Sequence, residues 1–275
     1  MKRLIKNKQA VVGIILIGIL FLIAIFAPYI TPQDPYEQSL FKRYQEPGGI
    51  GAEHVLGTDN LGRDVLSRII MGTRVSLMVG FIAVGISLFI GLILGALAGY
   101  IGGKVDEIIM RLMDVILAFP AILLAIFIVA VLGPGMTNAM FAIAIVRIPS
   151  MARVTRGQVL GLKEEEFVEA AHAMGASNFS ILFKHILLNG FAPMMVIATL
   201  GMGTAIVTEA GLSFLGLGAQ PPLISWGRML ASGREALRSA PHVTTWSGIA
   251  IVLSVLGFNL LGDGLRDIFD PKLDR

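Results

Sequence analysis

The stretch EEEFVEAAHAMGASNFSILFKHILLN, residues 164–189, lies between segments as apolar as lipid. It nevertheless carries three consecutive glutamates, an alanine pair, a lone glycine and two histidines. From Glu164 to Met174 the apolar residues Phe167, Ala170, Ala171 and Met174 fall at i, i+3, i+4 and i+7, which is one stripe of a helix. Glu165, Glu166, Glu169 and His172 take the opposite face, so the helix is amphipathic, and it is too short to be stable alone. Gly175 is free to adopt positive φ, where a helix can end and the chain can turn. Ser177 or Asn178 can then cap a second helix, FSILFKHILLN. The pattern is helix, glycine turn, helix. On pattern alone it is either a loop helix packed on its own bundle or a rigid knob offered to a partner.

The knob is surrounded by membrane. Of 275 residues 55% are hydrophobic and 15% charged, and the mean hydropathy is +0.78, which places the chain in the membrane class. A helical span needs about 20 apolar residues to cross about 30 Å of hydrocarbon. Ala10 to Ile30 is one such run, and a second lies near Val75 to Tyr100. The uncharged stretch Val115 to Val146 is too long for one helix and is broken by LGPG at 132–135, so it predicts a third span, a tight turn and the start of a fourth. A fifth span is expected over about Gly190 to Leu212 and a sixth over Thr244 to Leu261. The fold class expected is all-α, a polytopic bundle of six transmembrane helices with both termini on one side.

Lysine and arginine near the span ends set the orientation. With the N-terminus inside, thirteen basic residues are cytoplasmic, among them Lys2, Arg3, Lys6, Lys8, Lys104, Arg111, Lys163 and Lys184; eight are outside and Arg147 lies within span four. The leading MKRLIKNK supports N-in, and FAPYITPQ is a poor cleavage site, so the first span is expected to be an anchor rather than a signal peptide. A net charge of +3 and a pI near 9.3 reflect these cytoplasmic-face residues rather than a nucleic-acid patch. The layout is then an anchor (1–30), an extracytoplasmic loop (31–74), a core of five spans (75–262) and a cytoplasmic tail (263–275). In the loop, Asp59 to Ile70 predicts a short amphipathic helix with Leu61, Val65, Leu66, Ile69 and Ile70 on one side.

Chemistry-bearing patterns are few. The sequence contains no G-x-x-x-x-G-K-[ST], no H-E-x-x-H and no G-x-S-x-G. Without cysteine it can form no disulfide, thiolate metal site or cysteine nucleophile. The four histidines are spaced for no metal site and are expected to be solvated or interfacial. Gly91, Gly95 and Gly99 recur every four residues on one face of span two, which lets a neighbouring helix approach closely, either from this chain or from a partner. Charges within spans are functional candidates. Arg147 interrupts span four just before Pro149. Glu209, about nineteen residues into span five, comes near the outer interface, either lining a pathway at its outer gate or pairing with a nearby arginine.

EAAHAMG resembles the EAA motif of ABC importer permeases, whose pattern is E-A-A, three residues, Gly, nine residues, I-x-L-P. Glu169, Ala170, Ala171, Gly175 and Leu187 match at the right spacing; His185 stands where Ile is usual and Leu188 where Pro is usual. HVLGTDNLGRDVLSRIIMGTRVSL (54–77), GGKVDEIIMRLMDVILAFP (102–120), RVTRGQVLGLKEEEFVEAAHAMGAS (153–177), EAGLSFLGLGAQPP (209–222) and FNLLGDGLRDIFDPKL (258–273) are similar to the dipeptide/oligopeptide/nickel branch, and within it to the C-type, second permease subunit. The resemblance covers nearly the whole chain.

The resemblance implies the type I permease fold and a half-channel. It pairs with a second homologous permease subunit, rests on two ATPase subunits and receives solute from an extracytoplasmic binding protein. ATP and Mg are then held by the ATPases, and this chain needs no cofactor and is no enzyme. The segment 164–176 becomes a coupling helix, with Phe167, Glu169, Ala170, Ala171, Met174 and Gly175 as the ATPase-coupling residues. The chain needs only two packings of similar stability, inward-open and outward-open. The expected solute is a di- or oligopeptide, with nickel or another small solute of the same branch as the alternative. A stand-alone secondary transporter or channel would need ion-coupling charges near mid-membrane, and no carboxylate accompanies Arg147 there.

Overall fold

The computed structural model describes residues 7–269. Among them all regular structure is helical apart from one isolated bridge between Thr58 and Asp64. Helix α1 spans Lys8–Ile30, its first N–H groups capped by the Asn7 side chain, which accepts from Gln9 and Ala10 at 2.9 and 3.1 Å. Helix α2 spans Val65–Ile101, and its 37 residues extend about 55 Å, nearly twice the hydrocarbon thickness.

That length corrects the expectation of a separate helix over 59–70. Residues 59–64 form a tight turn in which Asp59 Oδ1 accepts the backbone N–H groups of Leu61 and Arg63 at 2.9 and 3.0 Å. Such side-chain acceptors offer the backbone an alternative to a helix. Asp64 then caps α2, accepting from Ser67 N–H at 2.8 Å, and nothing between Ile70 and Val75 stops the helix. Residues 65–70 of the expected surface helix are therefore the first turns of α2. His54 Nδ1 lies 3.0 Å from the Asp64 carboxylate, and His242 Nε2 lies 3.0 Å from the Thr58 carbonyl. Two of the histidines expected to be solvated or interfacial thus brace this cap, His242 from within the buried set.

Helices α3 (Gly103–Leu117) and α4 (Ala121–Leu132) meet at a 90° bend. This corrects the expectation that a third span begins at Val115. Pro120, which lacks an N–H and disfavours helix at Phe119, breaks it instead. LGPG turns the chain, with Gly133 at φ +94, into α5 (Met136–Leu162), which runs unbroken through Arg147 and Pro149. Helix α6 (Glu166–Ala173) comes next, then a helical run over 178–189. Helix α7 spans Phe191–Phe214, α8 Trp226–Gly233 and α9 His242–Phe269. Helix α9 continues past Leu261, so the start of the expected tail is helical, and Asp267 accepts from Asn7 Nδ2 at 2.9 Å. Lys2, Arg3, Lys6, Lys272 and Arg275 lie outside the described residues.

Four helices, α1, α2, α7 and α9, are long and apolar enough to cross a membrane, and a fifth crossing exists if the bent pair α3–α4 counts as one. The expected six also counts α5, which carries Arg147, Arg153 and Arg156. The most extensive packing is between α2 and α5. A Cβ at Gly91 or Gly95 would overlap Met151 or the Ala152 carbonyl, and one at Gly99 would lie 2.9 Å from the Arg156 carbonyl. The glycine stripe therefore faces a helix of this same chain. Helix α1 lies on α9 in the same manner, where Gly13 would meet the Leu261 backbone and Gly264 meets Ala10.

Gly95→Ala is expected to destabilise the chain by about 1–3 kcal/mol through overpacking, read as a lower unfolding midpoint in detergent. Gly85→Ala, whose Cβ meets nothing within 4 Å, should not lower it. Equal midpoints for the two variants would mean that α2 and α5 are not held by this contact.

Candidate functional site

The knob is built from local rules and then turned by tertiary packing. Glu166 and Glu169 sit in the first turn of α6, where carboxylates suit the positive end of the helix dipole. At the other end Gly175 takes φ +80. Ala176 N–H donates to the Ala171 carbonyl at 3.1 Å and Gly175 N–H to that of His172 at 2.9 Å, the paired bonds of a Schellman turn. Ser177 caps the helical run over 178–189, its Oγ accepting from Ser180 N–H at 3.3 Å.

Packing divides the predicted stripe. Ala171 points inward with Val168, into a cluster with Ala96 of α2, Val159 of α5, Ile181, Ile186, Leu187 and Met194. Phe167 is 37% exposed and Met174 81%, with Ala170 and Glu169 also open. The periodicity locates the helix but mixes its two faces, because Val168 supplies the inward side. Leu188 and His185 fall where the chain bends towards α7. Ile181–Ile186 is a π-helical turn, Asn189 Nδ2 donates to the His185 carbonyl at 2.6 Å, and Gly190 N–H donates to Ile186 at 2.9 Å. A widened turn and a glycine stand where a proline is usual.

Beside the knob, α3 is clamped to α5. Arg156 donates through Nε and Nη2 to the two carboxylate oxygens of Asp106 at 2.5 and 2.6 Å, and Arg153 Nη2 donates to Asp114 at 2.5 Å. The first is the bidentate geometry in which an arginine–carboxylate pair is strongest. In the sequence these arginines count only as orienting charges.

The two charges read within spans have different surroundings. Arg147 Nη1 donates to Thr204 Oγ1 of α7 at 2.5 Å, and its guanidinium lies over Gly201, where a Cβ would overlap it. Glu209 is fully buried. Ser213 Oγ donates to its Oε1 at 2.6 Å, and the same hydroxyl accepts Ala219 N–H at 2.9 Å. No arginine pairs with Glu209 among the described residues, and Oε2 has no hydrogen-bond partner.

Glu209 therefore anchors the hairpin that comes after α7. That hairpin begins with a second Schellman turn at Gly216, φ +79, with Leu217 N–H on the Leu212 carbonyl at 2.8 Å. It ends at Trp226, whose ring is buried against Gly72 of α2 and whose Nε1 donates to the Ile69 carbonyl at 3.1 Å. Sequence reasoning misses Ser213 and Trp226. EAGLSFLGLGAQPP signals that the segment matters, but a hydrogen bond across 157 positions leaves no local pattern.

Long apolar helices with one short amphipathic helix at an end of the bundle are the make-up of an integral membrane protein. Residues 91–275 match the family described as binding-protein-dependent transport system inner membrane component, and residues 1–47 match the N-terminal transmembrane domain of oligopeptide transport permease C; the chain belongs to this permease family. It is 52% identical to the dipeptide transport system permease protein DppC of Alkalihalophilus pseudofirmus, over 99% of this chain and 88% of that protein. It is 47% identical to the glutathione transport system permease protein GsiD of Pectobacterium atrosepticum, over 99% and 90%. With the di/tripeptide transport system permease protein DppC of Pseudomonas aeruginosa it shares 46%, over 97% and 89%. In fold it is similar to a chain of the MetNI methionine ABC transporter solved in inward-facing conformations, with TM-score 0.61 and 20% identity over 74% of this chain and 98% of that one.

Ser213→Ala strips Glu209 of its donor and Ala219 N–H of its acceptor, and is expected to cost about 1–3 kcal/mol. Val207→Ala, at an exposed position of the same helix, should leave the detergent unfolding midpoint in place. A Ser213→Ala protein melting with wild type would show that this link does not hold the hairpin.

Proposed function

We propose that the chain is one of two homologous permease subunits of an ATP-driven importer for di- or oligopeptides, coupled to its ATPases through α6. The observation that carries the reading is the open face of α6, Phe167, Glu169, Ala170 and Met174, held rigidly by a buried inner face and a Schellman turn. An exposed methionine and phenylalanine on a braced helix suit a groove in a partner. Relatives named for dipeptide, di/tripeptide and glutathione transport support a peptide as the solute.

In this reading α6 lies in the cytoplasm against one of two ATPase subunits, which hold ATP and Mg. Both termini are cytoplasmic, and α5 makes the sixth crossing. The cap over 31–64 and the hairpin after α7 face an extracytoplasmic binding protein. The translocation pathway runs between this chain and the second permease subunit, with Arg147 and Thr204 as the polar pair nearest to it. Residues 1–30, 31–74, 75–262 and 263–275 serve as anchor, outer cap, core and tail.

Met174→Asp is expected to weaken ATPase association about tenfold or more, as loss of an apolar anchor does. Gly175→Trp, at a φ that strains any side chain, should abolish labelled-dipeptide uptake and reduce ATPase co-purification while the chain still inserts. Undiminished co-purification in both variants would remove α6 from the coupling role. Nickel uptake in place of dipeptide uptake by the intact system would overturn the solute.

A further inference from the structure

At the end of the bundle opposite α6, the cap, the hairpin after α7 and α8 line an open cavity of about 640 Å³, a volume in the range of small-molecule sites. Three guanidiniums, Arg63, Arg68 and Arg228, line it. Arg68 is only 4% exposed; its Nη1 donates to the Pro35 carbonyl at 2.9 Å, while its Nε lies 3.3 Å from Asp59 Oδ2 and makes no hydrogen bond. Arg63 places Nε and Nη2 each 2.8 Å from the same Asp59 oxygen. Arg228 Nη1 donates to the Ala219 carbonyl at 3.0 Å.

One carboxylate thus stands against three cations, and its other oxygen is already taken by the backbone of its own turn. Glu209 offers no relief, since its carboxylate is buried behind Ser213 and is not part of the lining. Burial, and after it the charge of Arg63, pushes the Arg228 guanidinium below its ordinary value. Buried cations without a full complement of anions are costly. Guanidinium forks match a carboxylate bidentately. Asn60 also lines the cavity, and Phe214, Pro222 and Leu223 supply an apolar wall.

We propose that this cavity is a carboxylate site that receives the free C-terminal carboxylate of a peptide solute at the outer mouth of the permease. Asp59 holds Arg63 and Arg68 in place, and Arg228 closes the third side from α8. The assignment of the carboxylate to a peptide rests on the function proposed above; the surplus of cations does not.

The chain contains no cysteine, so Ser232→Cys, on the cavity wall, gives it a single thiol that can be titrated in the whole transporter in membranes. The reagents are the anionic sulfonatoethyl and the cationic trimethylammonioethyl methanethiosulfonates, with mass shift read on this chain. The anionic-to-cationic rate ratio is expected to be about tenfold higher than at Ser239→Cys, an exposed position outside the cavity lining, because a cationic cleft concentrates anions. Acetate and a dipeptide should both slow labelling, and the dipeptide amide should not. Arg63→Gln and Arg228→Gln should each reduce the preference and the protection, and Arg228→Lys should keep the preference. Equal ratios at the two thiols would sink the site. Protection by acetate but not by dipeptide, or equal protection by acid and amide, would overturn the assignment to a peptide carboxylate. Protection by the dipeptide without ATP-dependent dipeptide uptake would leave the site standing and defeat the importer reading instead.

Discussion

Inside a bilayer two apolar helices gain nothing by leaving solvent, because lipid is as apolar as they are, so their association rests on close van der Waals fit. The contact between α2 and α5 meets that demand. Gly91, Gly95 and Gly99 leave a groove on α2 into which Met151, Thr155 and Val159 of α5 settle. The placement of α5 governs much else. Its arginines fix α3 through Asp106 and Asp114, and its last turn supplies Val159 to the small core beneath α6. The helix that holds the bundle together therefore also carries the knob.

Features governed by neighbours in sequence were legible. The end of α6 at Gly175, the cap at Ser177 and the turn at LGPG all depend on which residue can adopt a given φ or accept a given N–H within a few positions. The period of the glycine stripe was legible as well, but not its partner, since Met151 lies sixty positions from Gly91. The division of the α6 stripe was not legible for the same reason: Ala171, read with the coupling residues, turns inward beside Val168. Val168 and Ala170 are equally plausible inward residues until Ile181 and Ile186 fold back beneath them.

Charge was the poorest guide. Glu209, read near the interface as either a gate residue or an arginine's partner, is walled in by Ser213 and the hairpin, with no arginine paired to it among the described residues. The arginines counted for orientation turned out to be specific structural groups, Arg153 and Arg156 as clamps and Arg63 and Arg68 as holders of a turn. A count of positive charge near span ends cannot separate a solvated lysine from a guanidinium fixed on two carboxylate oxygens, because the difference lies in where the partner carboxylate falls in space. The uncharged run at Val115 misled in the opposite sense: it contains one proline ahead of the LGPG turn, and Pro120 outweighs the apolar residues around it.

Helix α7 is what relates the two ends. It begins at Phe191, directly after the run packed against α6, and Met194 in its first turn belongs to the core beneath the knob. It ends at Phe214, one residue beyond Ser213, which holds the hairpin and lines the arginine cavity. Twenty-four residues at 1.5 Å each make a rod of about 36 Å. Packed helices rearrange between discrete fits rather than deforming smoothly. Met194 beneath α6 and Ser213 at the hairpin sit on one continuous helix. Arg228 is tied to both sides, its guanidinium to Ala219, which is bonded to Ser213, and its helix through Trp226 to Ile69 of α2. The arginine cavity therefore lies where α2 and the end of α7 meet, with Arg63 and Arg68 held from the α2 side through Asp59 and Arg228 bonded to the hairpin from a helix that Trp226 also ties to α2.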